Sequence, residues 1–243
     1  MDNGADKHNN GDTEEMTNSW YSQYYEKAGR DRNDLLTNPQ VLFQTFAFEM
    51  SVIIAMRSIQ VSRDDMIILD VGCGSGGSLL NMLRLGFNSN NMFGIDILKE
   101  RINDAKTRFQ NINFIHGNAT SMDFSDSEFD IVMESTMFVQ ITDSELASNI
   151  AAEMMRVLKP GGYLILVDWR YSKPGGKYKA FSKKRMIGLF MEGNRAKLVK
   201  ISNGALVPPV GRFLSAYLPS LYFLFCRFMP FLVGQKTTIL KKE

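Results

Sequence analysis

The sequence predicts an α/β fold built on a seven-stranded, mostly parallel sheet with one antiparallel edge strand and helices on both faces. Three observations carry that prediction. Short apolar runs alternate with helix-like runs through the middle of the chain, the pattern of a parallel sheet covered on both sides. One alternation is a strand, a glycine turn and a helix, centred on Asp70-Val71-Gly72-Cys73-Gly74-Ser75-Gly76-Gly77. Two strand-like runs come late, around a long apolar connection, and read as an addition to the sheet's edge.

The elements follow in order. Residues 1–16 are rich in Asn, Asp, Gly and Glu and read as a disordered tail. They include His8 and lack the basic and apolar regions of a signal peptide. Residues 17–60 read as helical: Trp20, Tyr21, Tyr24 and Tyr25 recur at helical spacing, and Asn38-Pro39 is an N-cap with proline at the first helical position. The run 40–59 could span a membrane only if Gln44, Glu49 and Arg57 are set aside, so a buried amphipathic helix is expected.

Residues 61–202 form the expected core. Strands are predicted at 66–70, 91–95, 112–116, 129–133 and 163–168, with helices at 75–85, 98–110 and 143–158. The last helix opens on Thr142-Asp143-Ser144-Glu145, a capping box, and stops at Lys159-Pro160-Gly161-Gly162. Ser182 can cap a short helix through Met191. The late strands are 197–202 and 237–240, the latter within a final segment 236–243. Between them, 203–235 is an apolar helical insertion that Pro219 and Pro230 break into pieces too short to cross a bilayer.

Charge is distributed unevenly. Residues 1–158 hold 12 Lys and Arg against 23 Asp and Glu, while residues 159–243 hold 16 against 3. The basic third reads either as a chance imbalance or as a surface facing an anionic partner. No regular interleaving of basic and aromatic residues accompanies it, so nucleic acid is not expected. The two cysteines, Cys73 and Cys226, make neither a disulfide framework nor a metal spacing. No metal is expected, and a reducing, cytoplasmic setting is.

The glycine stretch fits two cofactors. Gly72-x-Gly74-x-x-Gly77 satisfies the dinucleotide fingerprint. Asp70-x-Gly72-x-Gly74-x-Gly76 satisfies the S-adenosylmethionine pattern. Further residues favour the second. Leu69 to Gly76 resembles the first motif of the class I S-adenosylmethionine-dependent methyltransferases. Gly94-Ile95-Asp96, Gly117-Asn118-Ala119, Phe129-Asp130-Ile131-Val132 and Arg156 to Gly162 resemble that family's later motifs, in family order.

The resemblance implies a Rossmann-like methyltransferase fold that binds S-adenosylmethionine and releases S-adenosylhomocysteine. It also implies roles. Gly72, Cys73, Gly74 and Gly76 would let the backbone approach the methionyl end and ribose. Asp70 would face the amino group or hold the loop by accepting amides. Asp96 would accept the ribose hydroxyls, Ile97 would pack on adenine, and Asn118 and Ala119 would bond its edge. Glu134, ending the fourth strand, would lie beside the methionyl end. Tyr25 would belong to an N-terminal helical lid over the cofactor.

The acceptor is harder to read. Relatives that use a His after the fourth strand have Gln140 as their counterpart here, and Gln is no base at neutral pH. Asp168 and Glu134 are the carboxylates available for general-base work at the sheet's carboxyl edge. His116 reads as structural. Gln140, Arg170 and Tyr171 are the candidate acceptor contacts, Arg170 for an anionic group. The expected reaction is O-methylation of a small-molecule or sugar-containing acceptor. A looser likeness to methyltransferases of bacterial surface-polysaccharide synthesis rests on the apolar insertion. Segment 203–235 has three open readings: a cap over the acceptor, a homodimer interface, or peripheral contact with the inner face of a membrane. A nicotinamide-dependent oxidoreductase and a non-catalytic cofactor-binding subunit are the rival functions.

Overall fold

Ile68-Leu69-Asp70-Val71 are buried in succession and form β1 (Ile68–Val71), a strand covered on both faces. Such a strand belongs in the middle of a parallel sheet, and that is where it lies. The computed structural model describes residues 34–172 and 178–243. Around β1 stand β2 (Met92–Asp96), β3 (Asn113–His116), β4 (Phe129–Ser135), β5 (Leu158–Trp169), β6 (Ala196–Asn203) and β7 (Gln235–Lys242). Their order is β3-β2-β1-β4-β5-β7-β6. Only β7 runs antiparallel to its neighbours, slotted between β5 and β6, so β6 closes that edge.

Crossover helices link the parallel strands. These are α2 (Gly77–Arg84), α3 (Lys99–Arg108) and α4 (Ser144–Val157), preceded in the chain by α1 (Pro39–Met56). Alternate strand residues feed two cores. Leu69, Val132, Leu164 and Leu166 pack under α4. Ile68, Ile131, Ile165 and Val167 pack under α1, α2 and α3. The chain leaves β1 toward β2 and β3 on one side and reaches β4 and β5 on the other. Strands β1 and β4 therefore flank the switch point, beyond whose carboxyl ends such sheets bind ligands.

Several boundaries differ from expectation for physical reasons. Asp143, not Thr142, caps α4, because its carboxylate reaches both Glu145 N and Leu146 N, at 2.7 and 2.9 Å. Lys159-Pro160-Gly161-Gly162 ends the helix but belongs to β5, not to a loop. A register shift opposite Phe129 and Ile131 absorbs it, with Gly161 at φ +77°. Lys159 Nζ locks the bulge on the Asp130 carboxylate at 2.8 and 2.9 Å.

Helix α1 starts as predicted, with Asn38 Oδ1 accepting from Gln40 and Val41 amides. By length and composition it could cross a membrane. In the fold, part of it packs on the sheet. Ala47, Val52, Ala55 and Met56 are buried, Ser51 Oγ meets Thr237 Oγ1 at 2.6 Å, and Glu49 pairs with Arg84 of α2. The expected amphipathicity is missing: Phe46, Met50, Ile53 and Ile54 lie exposed on its outer side.

The insertion is helical, as expected. It comprises α6 (Pro208–Tyr217), a short turn Pro219–Leu221 and α7 (Tyr222–Phe228). Among the described residues, the remaining α-helix, α5 (Lys183–Met186), starts at its Ser182 cap and continues as one wider turn, Ile187–Met191. Leu206, Leu214, Tyr222, Cys226 and Val233 form a third core against Ala47 and Phe43 of α1, with the Phe43 and Tyr222 rings 5.1 Å apart. Helix α1, expected as part of a lid, thus covers the β6–β7 edge and carries the insertion.

Candidate active site

The glycine turn leaves β1 at the switch point. Gly72, Gly74 and Gly76 all take positive φ, at +71, +52 and +82°. A side chain is strained in that region. At two of them it would also collide: a Cβ on Gly72 would lie 2.9 Å from Met137 Sδ, and one on Gly76 2.9 Å from Phe114 Cζ. Gly77 is different. Its φ is not positive, and a Cβ there would meet nothing within 4 Å. In the dinucleotide fingerprint the third glycine serves close helix–strand packing. Gly77 has no such constraint, whereas Gly76 is sterically required, so the geometry selects the pattern that ends at Gly76.

Three acids surround this turn. Asp70 is fully buried, and neither carboxylate oxygen has a hydrogen-bond partner. Burial, and secondarily the charge of Asp96, push its carboxyl well above the usual range. The amide-holding role open to Asp70 is therefore not the one it plays. Asp96, at the end of β2, does that work: Oδ2 accepts from Gly74 N and Oδ1 from Leu98 N, both at 2.8 Å. Burial raises its carboxyl too, against the pull of those amides. Each of its oxygens keeps a second lone pair.

Glu134, at the end of β4, is also fully buried. Its Oε2 accepts from Met137 N at 3.0 Å, and its Oε1 has no partner. Desolvation raises its carboxyl well up, and the nearby Asp168 adds to the shift. An unpartnered buried carboxylate is costly. Two of them beside a glycine turn make a site suited to a ligand with cationic groups.

A domain model described as "Methyltransferase domain" matches residues 68–162, the stretch from β1 into β5. This stretch is a methyltransferase domain of the class I S-adenosylmethionine-dependent type. It is 28% identical over 149 residues to the sterol 24-C-methyltransferase erg6 of Aspergillus fumigatus, covering 58% of this chain and 38% of that protein. It is 30% identical over 151 residues to the ubiquinone/menaquinone biosynthesis C-methyltransferase UbiE of Rickettsia prowazekii, covering 56% and 60%. The chain spans less than two thirds of the length of these relatives. A SAM-dependent methyltransferase structure from Methanosarcina mazei shares the fold at TM-score 0.57 and 23% identity, covering 78% of this chain and 96% of that one. The geranyl diphosphate C-methyltransferase of Streptomyces coelicolor, solved with S-adenosylhomocysteine, does so at TM-score 0.58 and 15% identity, covering 80% and 77%.

The residues fit the family's cofactor. S-adenosylmethionine brings an α-ammonium and a sulfonium, and the sulfonium supplies an electrophilic methyl group. Asp70 and Glu134 offer three buried, partnerless oxygens, and the turn beside them has glycine at each of its positive-φ positions 72, 74 and 76. Ile97, just after β2, is half-buried, and its carbonyl bonds the His116 ring at 2.9 Å. Asn118 Oδ1 accepts from Thr120 N at 2.9 Å, and Ala119 packs against the α4-side core. Cys73 takes part through its main chain alone. Its side chain is buried against Gly94 and Phe114, so only its backbone lines the turn. Tyr25 and the other aromatics of 20–25 lie outside the described residues.

The acceptor-side residues divide. Asp168 is buried beside Glu134, but both its oxygens are engaged, by Val139 N at 2.8 Å and Trp169 N at 2.7 Å. Burial lifts its carboxyl to about 7 against the pull of these amides and of Arg185. It holds the segment after β4 in place, leaving Glu134 Oε1 as the carboxylate oxygen without a partner. Gln140 Nε2 donates to Thr136 O at 2.7 Å within the same segment. Arg170, expected to meet an anionic group, gives two of its five N–H donors to backbone carbonyls. Nε donates to Val233 O and Nη2 to Pro230 O, each at 2.6 Å, and the group lies 4.6 Å from the Tyr171 ring centroid. Tyr171 Oη donates to Phe231 O at 3.1 Å. Together they fasten the end of the insertion to the end of β5.

One residue beside these acids has no signal in the sequence. Arg185 donates to Phe138 O at 2.8 Å, Lys179 O at 3.0 Å and Ile141 O at 2.7 Å, so it clamps the segment after β4. It is the cation whose charge acts on both Asp168 and Glu134. Its setting, Lys183-Lys184-Arg185, reads as a solvated basic run, and nothing local marks one member as turned inward.

Proposed function

We propose that this chain transfers a methyl group from S-adenosylmethionine to an apolar acceptor, at carbon. One observation carries the acceptor class. Arg170 tethers Phe228-Met229-Pro230-Phe231, a segment with two largely exposed phenylalanines, to the end of β5 two residues beyond Asp168. An acceptor approaching from that side meets aromatic surface. The names of the relatives support the same class, since they are C-methyltransferases of a sterol and of a quinone pathway.

In this reading Asp70 binds the cofactor's cationic end and the glycine turn fits its shape. Glu134 Oε1 takes up a proton or orients the acceptor, and Asp168 and Arg185 hold the segment after β4. Proximity and orientation supply much of the rate in such a displacement. The O-methylation of a sugar-containing, anionic acceptor is the second reading, and the basic C-terminal third favours it.

The test is incubation of the chain with tritiated S-adenosylmethionine and cell extract, followed by organic and aqueous partition. Label is expected in the organic phase, on a product that survives ester and glycoside hydrolysis. Label in water-soluble glycans would establish the second reading. Reduction of a carbonyl with nicotinamide, or no transfer at all, would leave the oxidoreductase or the non-catalytic subunit.

A further inference from the structure

The insertion buries one side and leaves the other bare. Tyr222, Cys226 and Leu214 face the core. Phe213, Tyr217, Leu224, Phe228 and Phe231 are exposed, at 55, 73, 49, 70 and 65%. Phe213 and Tyr217 stand one turn apart on α6 with ring centroids 5.4 Å apart. Leu224 and Phe228 share the same spacing on α7. Exposed aromatic area this concentrated marks an interaction surface rather than the scattered apolar residues of an ordinary exterior.

Charge says what kind of partner fits. From residue 193 to residue 242 there is no Asp or Glu, while Arg195, Lys197, Lys200, Arg212, Arg227, Lys236, Lys241 and Lys242 occur. Two of them, Arg212 and Arg227, are exposed and directly flank Phe213 and Phe228. A face that pairs large aromatics with cations and lacks anions complements an anionic lipid headgroup layer over an acyl region. A folded protein partner would have to be both apolar and uniformly acidic to match it.

We infer that α6, α7 and the 228–231 loop form a membrane-docking ridge for bilayers carrying anionic lipid. Arg170 and Tyr171 staple that loop to the end of β5, two and three residues beyond Asp168, so docking would bring the crevice to the bilayer surface. The functional sense of this rests on the apolar-acceptor reading above. The binding itself is independent of it, and so is its test.

The experiment is cosedimentation of the full chain with vesicles of phosphatidylcholine alone, or of phosphatidylcholine and phosphatidylglycerol in equal amounts, at low and high salt. Binding is expected only to the mixed vesicles and to weaken with salt. Arg212→Gln with Arg227→Gln should reduce partitioning on the order of 30-fold. Phe228→Ser with Phe231→Ser should abolish sedimentation while circular dichroism and Tm stay unchanged, because both side chains are exposed. Equal binding to both vesicle types, or none to either, would overturn the inference. So would a dimer in light scattering that the phenylalanine pair dissociates, which would assign the ridge to a second copy. Docking with label found only in aqueous products would instead refute the apolar acceptor and leave the ridge standing.

Discussion

Asp70→Asn separates cofactor binding from folding at a single position. The carboxylate is fully buried, its two oxygens have no partner, and burial together with Asp96 disfavours its charge. Truncating one side of a buried, charged pair costs about 2–5 kcal/mol. At 1.4 kcal/mol per tenfold, the affinity for S-adenosylmethionine should fall roughly 30- to 3,000-fold. The unliganded chain should not suffer equally. The amide leaves unmade hydrogen bonds costing about 1–3 kcal/mol, but it also removes a charge that burial opposes. At pH 8 the Tm of the variant is therefore expected to stay near that of the parent, or above it. Isothermal calorimetry and differential scanning calorimetry give the two numbers. An affinity within about threefold of the parent, with a Tm lowered by many degrees, would refute the reasoning and make Asp70 a structural residue.

Three further outcomes follow from the same geometry. Gly72→Ala should cost about 2–3 kcal/mol, from a positive φ and a Cβ only 2.9 Å from Met137 Sδ. That corresponds to a Tm lower by roughly 4–12 °C, and adding Met137→Ala should restore only the steric part. Asp168 has a folded value of about 7 against an ordinary 3.8, so its stabilising contribution is complete below about pH 4 and is lost as pH rises through about 7. Asp70 and Glu134 shift in the same direction. Tm should thus fall from pH 5 to pH 8 more steeply than in Asp168→Asn, and a flat parent profile would count against these buried acids. Arg185→Lys keeps a charge but loses the fork that grips three carbonyls. It should lower kcat while changing the Kd for S-adenosylhomocysteine little.

The cofactor half of the site was legible because its constraints are local. Positive φ demands glycine at 72, 74 and 76, and the acids at or next to the ends of β1, β2 and β4 sit at fixed offsets from their strands. The sheet was legible for the same reason, through its alternation of short buried strands with helices. The acceptor half depends on contacts between residues far apart in the chain. Nothing around Arg170 reveals that its guanidinium meets carbonyls 60 and 63 positions later. Nothing around Asp168 shows that Val139 N will take one oxygen. Helix α1 misled differently. Its apolar residues on two sides signal a helix, but not that one side meets β7 while the other stays bare.

The most direct test of the account is calorimetric titration of the full chain with S-adenosylmethionine, S-adenosylhomocysteine and NAD at pH 6 and pH 8. The crevice lined by Asp70, Asp96 and Glu134 predicts single-site binding of the first two and none of NAD. It also predicts a gain on going to pH 8 that is larger for S-adenosylmethionine, whose sulfonium favours the ionised acids. Binding of NAD with no heat from either adenosyl compound would contradict it.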